Sequence, residues 1–177
     1  MNLRKNNIVM LGMTGVGKTT IGKILSKVLK AKFIDIDYEI EKASNLKIYD
    51  FFNQYGEKEF RKLEKKVLLK YLYNTNKAVI STGAGILSDN EIISSIHNNS
   101  VSIFLDIKIT NLLERLKYNL KNRPKLRKGN LEENLETMYN KRISGYKQAN
   151  IRVTVDQLSS ADVVSRIVKK LNNYGKF

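Results

Sequence analysis

The segment Gly12-Met13-Thr14-Gly15-Val16-Gly17-Lys18-Thr19 satisfies the pattern G-x-x-x-x-G-K-[ST]. It follows an apolar run, Ile8 to Leu11, and precedes Lys18 to Lys30, where Ile21, Ile24, Leu25, Val28 and Leu29 recur at helical spacing. A strand, a glycine-rich turn and a helix in that order make a phosphate cradle. Its backbone N–H groups point at a polyphosphate, and the helix adds its positive end. Lys18 is expected to reach the β- and γ-phosphates, and the Thr19 hydroxyl to ligate Mg²⁺. Gly12, Thr14, Gly15, Val16, Gly17, Lys18, Thr19 and Thr20 form the expected nucleotide-binding set.

Working outward, strands and helices alternate. Strands are expected at Asn7 to Leu11, Ala31 to Ile36, Ala78 to Ser81, Val101 to Leu105 and Ile151 to Val155. Helical spacing predicts helices around Ile48 to Tyr55, Lys58 to Tyr73, Ile109 to Leu120, Leu131 to about Gln148, and Ala161 to Asn172. Another helix, carrying Ile92, Ile93 and Ile96, is expected to start with Ser88 as its cap. This alternation implies βαβ units and a parallel sheet. Ligands of such sheets bind beyond the carboxyl ends of the strands, and the chemistry-bearing residues fall there.

Phe33-Ile34-Asp35-Ile36-Asp37 closes the second expected strand with two carboxylates. On a strand, residues two apart share a face, so Asp35 is expected near Mg²⁺ and Asp37 near the hydroxyl to be phosphorylated. The weaker alternative is that Asp37 caps a following short helix. Arg61 lies in a helical segment beside Glu57 and Glu64, and Arg142 lies four residues before Tyr146. A guanidinium fork suits a carboxylate, although Arg61 taken alone reads better as a surface ion pair. Gly83-Ala84-Gly85 ends the third strand and lets a ligand approach the backbone. Arg123 sits in the basic run Asn122 to Gly129, which is expected to close over the nucleotide as a lid and to bring Arg123 onto the transferring phosphoryl group. Lys18, Asp37 and Arg123 are thus the expected catalytic residues.

The 177 residues suit one domain, without internal repeats. There is no cysteine, which excludes disulfides and thiolate metal sites. No apolar run reaches the roughly 18 residues of a membrane helix, and the cytoplasm is the expected compartment. The net charge is +15, and Arg115 to Lys128 holds seven basic residues and no acidic one. Such a charge favours anionic partners, ATP or nucleic acid. RNA-binding sheet signatures and zinc-finger spacing are both missing, which disfavours nucleic acid.

Taken together, these segments resemble the shikimate kinase family. The resemblance rests on Gly12 to Gly22, Phe33 to Asp37, Glu57 to Glu64, Ser81 to Gly85, Arg123-Pro124, and Arg142 with Tyr146, in the family's order. It implies a three-layer αβα fold with five parallel strands in the order 2-3-1-4-5, a lid at about 119–131 and substrate-binding helices at about 38–64. It implies ATP-dependent phosphorylation of the 3-hydroxyl of shikimate by a monomer, with no nucleic-acid or membrane partner. It implies that Asp37, Arg61, Gly83, Ala84, Gly85 and Arg142 hold shikimate. Lys18, Thr19 and Asp35 would serve ATP–Mg²⁺, with Thr19 and Asp35 on the metal. Arg123 would be the lid arginine, and Arg115 and Gln157 would lie near the adenine.

Three positions depart from the family pattern. Ala84 replaces the usual middle glycine of the turn, and if that position needs positive φ the alanine costs about 1 kcal/mol or more. The lid reads Arg-Pro-Lys-Leu where two apolar residues usually follow the proline. Asp156 to Ser160 lacks the proline often found near the adenine. Two other activities fit less well: a related kinase for gluconate or a nucleoside monophosphate, and a nucleic-acid-binding or ATP-responsive interaction protein.

Overall fold

A computed structural model describes residues 6–117 and 130–174. Its five strands are β1 (Asn7–Leu11), β2 (Lys32–Asp35), β3 (Ala78–Ser81), β4 (Ser100–Asp106) and β5 (Ile151–Thr154). They form one all-parallel sheet in the order β2-β3-β1-β4-β5. The order 2-3-1-4-5 implied by the family resemblance is therefore the order observed.

The helices are α1 (Lys18–Val28), α2 (Ile36–Ser44), α3 (Ile48–Asn74), α4 (Asn90–Asn99), α5 (Ile109–Lys117), α6 (Leu131–Tyr146) and α7 (Ser160–Tyr174), with a 3-10 turn at Ile86–Ser88. Every residue of β1, β3 and β4 is buried. Side chains alternate between the faces of a strand, so helices must cover both faces, and three layers follow. α1 packs on α7 and β3, while α4 packs on α3 and β4.

Several local readings change. The two helices expected on either side of Gly56 run on as α3, but Gly56 is non-helical at φ 75° and ψ 176° and divides α3 where the sequence reading places the break. Asp89 caps α4 in place of Ser88, because the 3-10 turn takes up Ser88 and the Asp89 carboxylate accepts from the N–H groups of Glu91 and Ile92. Strand β2 stops at Asp35, not Ile36, because α2 begins at once. No helix among the described residues is long and apolar enough to cross a membrane.

The sheet centre is tied to its neighbours by Asn7, which is buried at the start of β1. Its amide donates to the carbonyls of Leu72 and Thr75 at the end of α3 and accepts from the N–H of Ala78 as β3 begins. One polar side chain thereby satisfies three backbone groups that burial would otherwise leave unpaired. This arrangement sets the carboxyl ends of β1, β2 and β3 side by side, and the functional residues project from those ends.

Candidate active site

Gly12 opens the phosphate loop at φ 142°, and a Cβ there would stand 2.7 Å from the Leu105 carbonyl oxygen. Backbone conformation and close packing against β4 both demand glycine at this position. α1 begins at Lys18, directly beneath the loop. The Lys18 ammonium, on a largely buried side chain, donates to the carbonyls of Gly12 at 2.8 Å and Met13 at 2.9 Å. It is therefore folded over the loop that it would serve.

The Thr19 hydroxyl donates to Asp35 Oδ2 at 2.7 Å and lies 3.5 Å from Ser81 Oγ. The other Asp35 oxygen accepts from the N–H groups of Asp37 and Tyr38, so Asp35, not Asp37, is the cap of α2. The shared-face argument for the two carboxylates fails, since Asp37 is helical. Both carboxylates nevertheless meet in the cleft, because capping turns the chain so that the first turn of α2 lies over the strand end. Enclosure by protein, followed by the charge of Asp35, raises the Asp37 carboxyl above the usual range, although its side chain still meets solvent at the cleft mouth.

Mg²⁺ usually takes one or two carboxylates and completes its shell with substrate phosphates and water. A hydroxyl and a carboxylate at hydrogen-bond distance beneath the phosphate loop suit that mode. Among the described residues no group of three or more acidic, histidine or cysteine side chains could hold a metal on its own.

The second half of the cleft is built on α3. Arg61 forms ion pairs with Glu57 at 3.1 Å and, more tightly, with Glu64. The helix-surface pairing that reads from the sequence is therefore present, but it is not confined to the surface. Glu64 is 1% exposed. Burial pushes its carboxyl up, and the guanidinium of Arg61 pulls it back only in part.

A Cβ at Gly83 would collide with Glu64 Oε1 and lie 3.2 Å from Asp37 Oδ1, and a Cβ at Gly85 would fall 2.5 Å from Arg61 Nη2. The flanking glycines of the turn thus make room for the charged pair. Ala84 is not among the residues with positive φ, so the anticipated backbone penalty does not arise.

Arg142 and Tyr146 reach the same place from α6. The Arg142 guanidinium acts electrostatically on the Tyr146 phenol and on Glu64. Two buried side-chain atoms, Glu64 Oε1 and Arg142 Nη1, have no hydrogen-bond partner among the described residues. Asp37, Arg61, Gly83, Ala84, Gly85 and Arg142 therefore converge, as the sequence reading requires. The sequence reading gives Glu64 only as a neighbour of Arg61, and Tyr146 only as the residue four after Arg142. The signal for Glu64 was its position four residues after Phe60 and four before Leu68, a carboxylate within an apolar stripe.

On the other side of the phosphate loop, Val16, Gly17, Thr20, Arg115, Val155, Leu158 and Ser159 line a cavity of about 340 Å³. Arg115 donates to the carbonyls of Val16 and Val155, which anchors it to the cavity wall. Gln157 sits at φ 55° in the loop that forms the rim. Arg123 and nearly all of the expected lid, residues 118–129, lie outside the described residues.

The model of one protein family, described as shikimate kinase, matches residues 14–172. The chain belongs to the shikimate kinase family. A shikimate kinase of Bacillus licheniformis is 37% identical over 96% of this chain and 95% of its own, and one of Bacillus subtilis is 36% identical over 96% and 90%. Among solved structures, the shikimate kinase from Acinetobacter baumannii in complex with shikimate has a TM-score of 0.90 at 29% identity, covering 96% of this chain and 94% of that one. The enzyme from Bacteroides thetaiotaomicron gives 0.88 at 28% identity, covering 94% and 98%. A gluconokinase from Sinorhizobium meliloti, 15% identical with a TM-score of 0.59, shares the fold. Membership of the shikimate kinase family makes this protein a kinase that uses ATP.

Proposed function

We propose that this protein transfers the γ-phosphoryl group of ATP to the 3-hydroxyl of shikimate. The observation that carries the reading is the pair of orphaned buried atoms, Arg142 Nη1 and Glu64 Oε1. A buried cationic donor without an acceptor favours an anion. A buried carboxylate oxygen without a donor favours a hydroxyl. A small acid bearing several hydroxyls supplies both, and burying it there relieves two desolvation penalties at once.

In the proposed reaction the acceptor O–H bond breaks and its proton passes to Asp37, whose raised carboxyl suits a general base. The freed oxygen bonds to the γ-phosphorus as the bond to the β,γ-bridging oxygen breaks, and ADP leaves. Lys18 leaves the Gly12 and Met13 carbonyls to reach the β- and γ-phosphates. Thr19 and Asp35 would hold Mg²⁺, which neutralises phosphate charge as it builds up. Arg61 and Arg142 orient the acceptor carboxylate, and Arg123 serves the transferring group from the lid. Arg115 and the rim near Gln157 hold the adenine.

An ADP-release assay across shikimate, gluconate and nucleoside monophosphates tests the reading. Turnover with shikimate alone is expected, and turnover only with another acceptor overturns it. Lys18→Ala should lower kcat at least about a thousandfold in a protein that still folds.

A further inference from the structure

Tyr146 ends α6 with its side chain almost wholly buried, and its ring is stacked on Phe104 of β4 with centroids 5.1 Å apart. The phenol oxygen stands 2.5 Å from the Ala84 carbonyl oxygen and 3.2 Å from that of Gly12. One of these carbonyls belongs to the acceptor turn and the other opens the phosphate loop. They come from chain segments 62 and 134 residues away from Tyr146. The Gly12 carbonyl is also an acceptor for Lys18, and the Arg142 guanidinium acts electrostatically on the phenol. A chain of hydrogen bonds therefore runs from the acceptor turn through the phenol and the Gly12 carbonyl to Lys18, the cation proposed for the phosphates.

We infer that Tyr146 is a positioning residue that sets the spacing between the acceptor turn and the phosphate loop, and with it the alignment of the acceptor hydroxyl on the γ-phosphorus. This inference rests on the proposed acceptor site. A phenol has one proton to donate, and here it has two carbonyls to serve. When Lys18 moves to the phosphates, Gly12 loses its ammonium partner, and the phenol is the donor already in place. Burial keeps that proton bound, with the phenol pKa pushed up to about 12. The group therefore remains a donor through the physiological range. The stack on Phe104 and the short bond to Ala84 hold the oxygen where both carbonyls are in reach.

Tyr146→Phe keeps the ring and its stack and removes the hydroxyl. Because small misplacements of reacting groups cost up to about a hundredfold in rate, kcat with shikimate is expected to fall about tenfold to a hundredfold. The Kd values for shikimate and ADP, read by calorimetry, should stay within about threefold if the residue only aligns the two sites. The ratio of ADP released to shikimate 3-phosphate formed should rise, because a misaligned hydroxyl competes less well with water. Replacing Tyr146 with 4-aminophenylalanine restores an N–H donor at that point and should recover kcat to within about threefold of the parent.

A folded Phe variant with unchanged kcat and unchanged ADP-to-product ratio overturns the inference. So does a loss confined to the melting temperature or to Kd. Should the Phe variant not fold, the 4-aminophenylalanine protein decides: recovery of kcat upholds the inference, and a folded protein with a hundredfold loss overturns it. If the parent enzyme itself ignores shikimate, the acceptor assignment fails and not the role of Tyr146.

Discussion

Arg61 is held by Glu64 less than one helical turn further along α3, and the pair presses against the glycines on either side of Ala84. An exposed pair at this spacing contributes only about 0.3–0.5 kcal/mol. Here Glu64 is buried and one of its oxygens has no partner among the described residues. The pair thus holds a guanidinium at the proposed acceptor site at a cost in desolvation, and its worth is better read in binding than in stability.

Glu64→Gln keeps the shape of the side chain and removes the charge that grips Arg61. The KM for shikimate is expected to rise about tenfold to a hundredfold, since losing a hydrogen bond between charged groups costs about 1.5–3 kcal/mol. The KM for ATP should stay within about twofold if the pair serves only the acceptor. Steady-state kinetics with each substrate varied in turn checks this, and equal damage to both constants contradicts it.

Gly85→Ala and Ala84→Gly should behave in opposite ways. A methyl at 85 meets the Arg61 guanidinium at 2.5 Å, so Arg61 must move, and shikimate KM should rise by about tenfold or more. At 84 the backbone is not left-handed, so glycine relieves nothing there. Ala84→Gly should leave kinetics within about twofold and reduce stability by about 0.5–1 kcal/mol through the added freedom of the unfolded chain. Urea denaturation and acceptor kinetics on the two variants separate these outcomes.

Asp37 links activity to stability with a definite sign. Its carboxyl is raised by enclosure and by Asp35, so the folded protein holds that proton more tightly than the unfolded chain. Stability from this group is present below the ordinary carboxyl pKa of about 4 and is lost as pH rises through the raised folded value. Asp37→Asn should therefore raise the melting temperature at pH 7 while lowering kcat by about a hundredfold or more. The melting-temperature gain should vanish in acid, where the parent carboxyl is protonated as well. A variant less stable than the parent at pH 7 contradicts this account.

The hydrogen bond from Thr19 to Asp35 predicts how Mg²⁺ dependence changes. Thr19→Val removes the hydroxyl at nearly constant volume. The Mg²⁺ concentration for half-maximal rate should rise about tenfold or more, while shikimate Kd measured without nucleotide stays unchanged. EDTA should abolish turnover of the parent, and excess Mg²⁺ should restore it.

Five runs of apolar residues, the helical spacing between them and a glycine cradle opening the first helix determined the parallel αβα fold and the phosphate site. Those features act over a few neighbouring residues, and local sequence settles them through steric preference and hydrophobic periodicity. The tertiary structure alone decided that Asp35 caps α2, that Glu64 stands behind Arg61, and that Ala84 carries no backbone strain. It also decided that one phenol touches both Gly12 and Ala84. Each of these depends on how α2, α3 and α6 settle over the strand ends. That placement comes from burying apolar surface shared by residues far apart in the chain, which a local pattern does not encode.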